Sequence, residues 1–306
     1  MAFTLIKGGF HVLSQTKTGK PTGFQPDGDS VQFKPDRPSL LDQLKRVQSP
    51  YRLSAIGSTQ LRFEGIDALE LHFQAKGAGI THQPRPLADR ARDHLLDAGG
   101  LEPVTFTAPD FIRVQPPAPH DGALGYILSR SLDVHGRPVA FAFAGEPPEP
   151  DGTVVHLTTA RVARSLNHEM LAAGQAYPLF YDTLFADLRA VFAKASADAH
   201  AARRGLWRED RTRKGVDAPS VDVLESDGVI FPKLFRRLVE FYGEGGGALA
   251  DFPAWVSATG ERVFDLDTTN NTHFGTYVSV ARGRVKLTKS PDRLVFVSAK
   301  GLAAWL

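Results

Sequence analysis

The stretch Leu61-Arg-Phe-Glu-Gly-Ile-Asp-Ala-Leu-Glu70 places an arginine, an aspartate and a glutamate within ten positions, at Arg62, Asp67 and Glu70. Two further segments carry the same residue types. Asp27-Gly-Asp29-Ser-Val31 brings two aspartates into a turn, and Asp133-Val-His135-Gly-Arg137 brings a second arginine to the mouth of an apolar run, Val139, Phe141 and Phe143. Arginine meets phosphate oxygens with a fixed two-pronged donor array. Carboxylates hold hard cations or take a proton from water. Charge at a strand end also reads simply as a solvated edge, the usual fate of Asp, Glu and Arg.

These residues need elements to position them. Leu61 and Phe63 alternate with Arg62 and Glu64 as in a half-buried strand over 61–67, and Gly65 suggests a bulge before Ile66 and Asp67. From His11 to Lys34 the pattern predicts strand, hairpin, strand, so Asp29 lies where a turn feeds a strand holding Val31 and Phe33. Residues 126–132 and 137–143 predict a hairpin around Asp133–Gly136, and Val104–Phe106 a further strand. Helices are expected near Leu87–Asp97, stopped by Gly99-Gly100, near Ser165–Ala173 and over Asp182–Arg204, closed by Gly205-Leu-Trp207. Residues 35–52, with a short helical pattern at Leu40, Leu41, Leu44 and Val47, read as an insertion; 107–122 and the polar segment from Gly145 read as loops.

The chain has 306 residues, 42% of them hydrophobic, enough to bury a sizeable core. Its 36 basic and 34 acidic side chains leave a net charge of +2, which favours no class of partner. Six bases against two acids over Arg203–Lys214 fit a solvated helix end that could also attract phosphate. With no cysteine, thiolate catalysis, disulfides and cysteine-based zinc sites are excluded. No apolar run approaches the ~20 residues that span a bilayer, so the expectation is a soluble cytoplasmic protein without a membrane partner.

In order and mutual spacing, DGDSV at 27–31, RxxxxDxxE at 62–70 and DxHGRxxxFxF at 133–143 resemble the staphylococcal nuclease (thermonuclease-like) family. The resemblance extends through Asn167 and Gly174-Gln-Ala to Gly205-Leu-Trp207 and covers roughly residues 10–214, with insertions at 35–52, 107–122 and 144–163. It implies an α+β fold, a five-stranded OB-type β-barrel with three helices, over residues 1–217. Residues 218–306 remain as a small C-terminal α+β extension of unassigned role, with an amphipathic segment at Pro232–Tyr242 and strand-like pieces at Tyr277–Val280 and Arg293–Val297.

The implied activity is calcium-dependent hydrolysis of DNA, with RNA as a second substrate, little concerned with sequence. Asp29, Asp67 and the backbone carbonyl of Ala68 match the family's calcium ligands. Glu70 matches the residue that activates water, Arg62 and Arg137 match the arginines on the scissile phosphate, and Asp27 matches a neighbouring aspartate. His135, Phe180 and Tyr181 fall near substrate-facing rings of the family, the last two reading equally well as core. Two carboxylates and a carbonyl supply about three or four of the six to eight oxygens that calcium takes, which leaves water and substrate phosphate to complete the shell. The alternative is an OB-type nucleic-acid-binding module without turnover.

Overall fold

A computed structural model describes residues 2–46 and 48–298 of the chain; Val47, expected on the short helical pattern, lies outside the described residues. The fold is α+β. It comprises two compact units, Met1–Glu64 with Arg92–Met170, and Gly65–Ala91 with Leu171–Leu306. The boundary expected at residue 217 coincides with none of the three breaks, after Glu64, Ala91 and Met170.

The first unit is built on a seven-stranded sheet, where five strands were expected. In spatial order its main path runs Thr59–Gln60, Gln32–Pro35, Ala2–His11, Ala123–Leu132, Pro138–Ala144 and Arg62–Phe63, and Val154–His156 also pairs with Ala2–His11. The two strands at the ends of this path are separated in sequence by Leu61 alone. One short segment therefore pairs to Gln32–Pro35 on one side and to Pro138–Ala144 on the other, and the sheet curls into a nearly closed barrel. Closure removes the unpaired edges of an open sheet. Phe3 and Phe141 meet edge-on at 5.6 Å on one face of this sheet, and Phe10 packs on Phe33 at 5.6 Å on the other.

The expected hairpin forms, with Asp133 at its turn. Gly136 has φ +84°, and a Cβ there would lie 2.0 Å from the Pro50 carbonyl oxygen, so this corner needs glycine. The loop expected over 107–122 holds a strand at Val114–Gln115 and the 144–163 insertion holds one at Val154–His156, both too short for an alternation to show. The 35–52 insertion makes a 3₁₀ helix at Pro38–Gln43.

The expected single strand over 61–67 is instead two. Arg62–Phe63 pairs in the first unit, whereas Ile66–Ala68 pairs with Ala176–Pro178 in the second. Gly65 lies between them at φ +82°, so the anticipated bulge is a turn. A Cβ on Gly65 would meet the Phe192 ring at 2.6 Å, which adds a packing reason for glycine.

In the second unit, Tyr177, Trp207, Phe231, Phe235, Phe252, Phe274 and Phe296 share one apolar core. Phe180–Tyr181 runs parallel to Leu294–Phe296 in a four-stranded sheet with Arg262–Asp265 and Asn271–His273. Residues 218–306 are thus built into the same core and sheet as residues expected in the nuclease domain. The longest helix among the described residues is Ala186–Ala201, shorter than the expected 182–204 because Asp182 donates its N–H to the Phe296 carbonyl and lies in a turn closed by Leu184 N–H on the Tyr181 carbonyl. Helices also form at Arg85–Ala98, Leu166–Ala172 and Pro232–Gly243, and Tyr277 ends a 3₁₀ turn that precedes the strand Val278–Ala281. Among the described residues no helix is long and apolar enough to cross a membrane.

Candidate functional site

The expected site residues fall on both units. Asp29, Arg62, His135 and Arg137 belong to the first; Asp67, Ala68, Glu70, Phe180 and Tyr181 belong to the second.

In the first unit, main-chain hydrogen bonds bring the three motif strands side by side. Phe63 N–H donates to the Asp29 carbonyl at 3.3 Å and Leu61 N–H to the Val31 carbonyl at 2.9 Å, so these two bonds bracket Arg62. On the other side Arg62 is in register with Val139, two positions beyond Arg137. Asn167, fully buried, clamps this junction: its Nδ2 donates to the Glu64 and Ala140 carbonyls at 2.9 and 3.0 Å, and its Oδ1 accepts the Ala142 N–H at 3.0 Å.

Arg137 is positioned by its own turn. Asp133 Oδ1 accepts the N–H groups of His135 and Arg137, each at 2.9 Å, and Asp133 Oδ2 accepts Arg137 Nε at 2.8 Å. The carboxylate is nearly buried while the arginine side chain remains 34% exposed. This contact engages Nε, and the two terminal nitrogens are the pair that a phosphate's two oxygens require. His135 is exposed at the turn apex, where a ring can lie against a ligand.

In the second unit, Asp67 is buried with its strand: Tyr177 faces it across the two-stranded ladder, and Ala68 faces Ala176. Glu70 is fixed through its main chain by Gln83, which sequence reading missed. Gln83 is fully buried; its Oε1 accepts the Glu70 N–H at 3.2 Å, its own N–H donates to the Glu70 carbonyl at 2.8 Å, and its Nε2 donates to the Gly228 and Ile230 carbonyls at 2.7 and 2.8 Å. The same amide therefore holds the acid and the chain that enters the Pro232–Gly243 helix.

That helix delivers the second missed residue. Arg236 Nη2 donates to both carboxylate oxygens of Asp67 at 3.0 Å, and Nη1 donates to Glu70 Oε1. The side chains of Asp67 and Glu70 are 4% and 13% exposed. Burial by itself would lower the Arg236 pKa; the charges of Asp67 and Glu70 and the bond to Glu70 more than reverse this and hold it well above the ordinary arginine value. Its neighbours on the same helix face have their own anions: Lys233 pairs with Glu261 at 2.5 Å, and Arg237 pairs with Glu261 at 3.3 Å and with Glu240. A signal was present in Pro-Lys-Leu-Phe-Arg-Arg-Leu-Val-Glu-Phe-Tyr, because three cations on a helix otherwise mostly buried require partners.

Phe180 takes the core reading and corrects the substrate-facing one: it is fully buried in register with Val295 and presents no face to a substrate. Tyr181 is half-buried, and its hydroxyl accepts Lys233 Nζ at 3.2 Å.

Calcium does not fit Asp67 and Glu70 in this arrangement. Both oxygens of Asp67 and one of Glu70 are already bonded to a guanidinium. A divalent ion about 4 Å from that charge would meet a repulsion of roughly 8 kcal/mol at an effective dielectric of 20, more than a weak calcium site can supply. Among the described residues, no group of three His, Asp or Glu side chains is gathered so as to hold a metal ion. Compared with known proteins, the chain matches no family model and no curated sequence.

Proposed function

We propose that the chain is a phosphodiester hydrolase acting on DNA, with RNA as a second substrate, on a barrel of OB type. The observation that supports this most is Arg137, held by Asp133 at the start of the strand whose Val139 is in register with Arg62. Two arginines, one on a strand and one at the turn that opens the adjacent strand, suit the non-bridging oxygens of a phosphodiester, whose charge grows during in-line attack. Contacts to phosphate of this kind carry no base preference, which agrees with low sequence specificity.

In this reading Glu70 takes the proton of the attacking water, and Gln83 sets the position of its backbone. Calcium, which the family resemblance implies, is assigned no step, because Arg236 holds the carboxylates it would use. That same contact favours a second reading. A Glu70 oxygen that accepts a guanidinium N–H is a poorer proton acceptor, and a chain in which this contact persists would bind nucleic acid without cleaving it.

The deciding experiment follows degradation of single-stranded DNA, duplex DNA and RNA by the purified chain in calcium, in magnesium and in a chelator, with Glu70→Gln and Arg137→Ala alongside. Cleavage that disappears in both variants supports hydrolysis at these residues. Binding without cleavage selects the second reading, and undiminished cleavage by both variants overturns the site.

A further inference from the structure

Two acids buried side by side need a cation, and the chain supplies one covalently. Asp67 and Glu70 are both largely withdrawn from water, and three of their oxygens accept hydrogen bonds from the one guanidinium of Arg236. Unpaired, two such carboxylates would repel each other and lose hydration with nothing in return.

The cation is also fixed in place. Arg236 sits on the Pro232–Gly243 helix, and the chain leading into that helix is bonded through the Gly228 and Ile230 carbonyls to Gln83, the amide that holds the Glu70 main chain. Anion and cation share a buried support, unlike a surface arginine that settles on the nearest acid. Lys233 and Arg237, one helical turn back and one residue on, are committed to Glu261 and Glu240. Pro232 begins the helix and Leu234, Phe235, Leu238 and Val239 are buried, so the helix that carries Arg236 is fixed by the core of this unit.

We propose that the Arg236 guanidinium is the resident cation of the Asp67–Glu70 pair, standing where a divalent metal would bind, so that the native chain carries no calcium at these carboxylates and removal of Arg236 creates a divalent-cation site. The inference concerns occupancy of the acidic pair and stands whether or not the chain cleaves phosphodiesters. It converts a metal-dependent arrangement into one whose positive charge is encoded in the sequence. It also assigns the region beyond residue 217 a part in the site.

Calcium itself is the probe, and binding and unfolding are the readouts. The full chain, Arg236→Ala, Arg236→Lys and the double variant Asp67→Asn with Arg236→Ala are titrated with calcium by calorimetry and melted in calcium and in chelator. The native chain and Arg236→Lys should take up no calcium and melt at the same temperature in both buffers. Arg236→Ala should be destabilised in chelator and regain stability in calcium, binding the ion roughly tenfold or more tightly than the native chain, because a like charge beside the ion is gone. The double variant should lose that binding. Calcium binding by the native chain equal to that of Arg236→Ala overturns the proposal, as does gained binding that survives Asp67→Asn. A folded Arg236→Ala that takes up no calcium overturns it too. So does an Arg236→Ala chain that fails to fold in either buffer, because an ion that fitted would replace the missing charge.

Discussion

Arg236 turns one terminal nitrogen toward both carboxylate oxygens of Asp67, at 3.0 Å each, and its other toward Glu70. The acid at the heart of the 61–70 stretch thus has as its partner a residue 169 positions away. Whatever chemistry the pair performs is conditioned by that contact.

Arg137 and Asp133 make the first test of the phosphate reading. Arg137→Ala should lower kcat/KM on DNA by roughly 100- to 1,000-fold, the loss typical of one preorganised donor. Asp133→Asn retains an acceptor for the two turn N–H groups while weakening the hold on Nε, so its loss should be smaller. Steady-state kinetics that rank the variants in the opposite order would remove Asp133 as the positioning residue.

Gln83→Ala strips partners from the Glu70 N–H and from the Gly228 and Ile230 carbonyls, all in a buried setting. Unsatisfied buried groups cost about 1–3 kcal/mol each, with partial relaxation, so a loss of about 2–4 kcal/mol is expected in urea denaturation. Turnover should fall as well, since the backbone that aims Glu70 is released.

Truncation after Asp217 should abolish cooperative folding of the second unit. It deletes the Leu294–Phe296 strand that pairs with Phe180–Tyr181 and the helix whose Leu234, Phe235 and Leu238 fill the core around Tyr177 and Trp207. Loss of the near-UV circular dichroism of these rings is the readout. Phe180→Ala should cost about 3–5 kcal/mol, the range for a fully buried phenylalanine; a variant of native stability that binds DNA more weakly would return Phe180 to the substrate face.

Asp265 carries an acid-dependent contribution. Burial pushes its carboxyl up, but the Asp267 N–H, the Thr268 and Tyr277 hydroxyls and Lys289 bring it down to about 2. A depressed carboxylate stabilises the fold above its unfolded value of 3.8 and loses that contribution as the pH falls toward about 2. Melting temperature should therefore drop through this window, and Asp265→Asn should flatten the drop while lowering stability at neutral pH.

What the sequence disclosed was local. The Asp133–Gly136 turn, the strands beside it and the Arg85–Ala98 helix before Gly99-Gly100 follow from glycine placement and short-range alternation, and all three are present. The 61–67 stretch failed because alternation cannot register a turn at Gly65, where the two sides find separate partners. Gln83 and Arg236 stayed hidden for a related reason. Each acts through contacts more than a hundred positions distant, and nothing in a neighbouring residue marks a glutamine as buried or an arginine as a counter-ion.

The separation of Asp67 and Arg236 also sets an order in time. A ribosome adds about 5–20 residues per second, so roughly 10–30 s pass between the emergence of the acid and that of its partner. The strand at Leu294–Phe296, against which Phe180–Tyr181 must pair, arrives later still. The nascent chain consequently displays Asp67 and Glu70 as hydrated anions until the Pro232–Gly243 helix is made, an interval in which Arg92–Met170, the second part of the first unit, is also synthesised. The acidic pair is closed only once Arg236 has been made, 169 residues behind Asp67, so the order of synthesis exposes the two carboxylates to the ions of the solution before their own cation arrives.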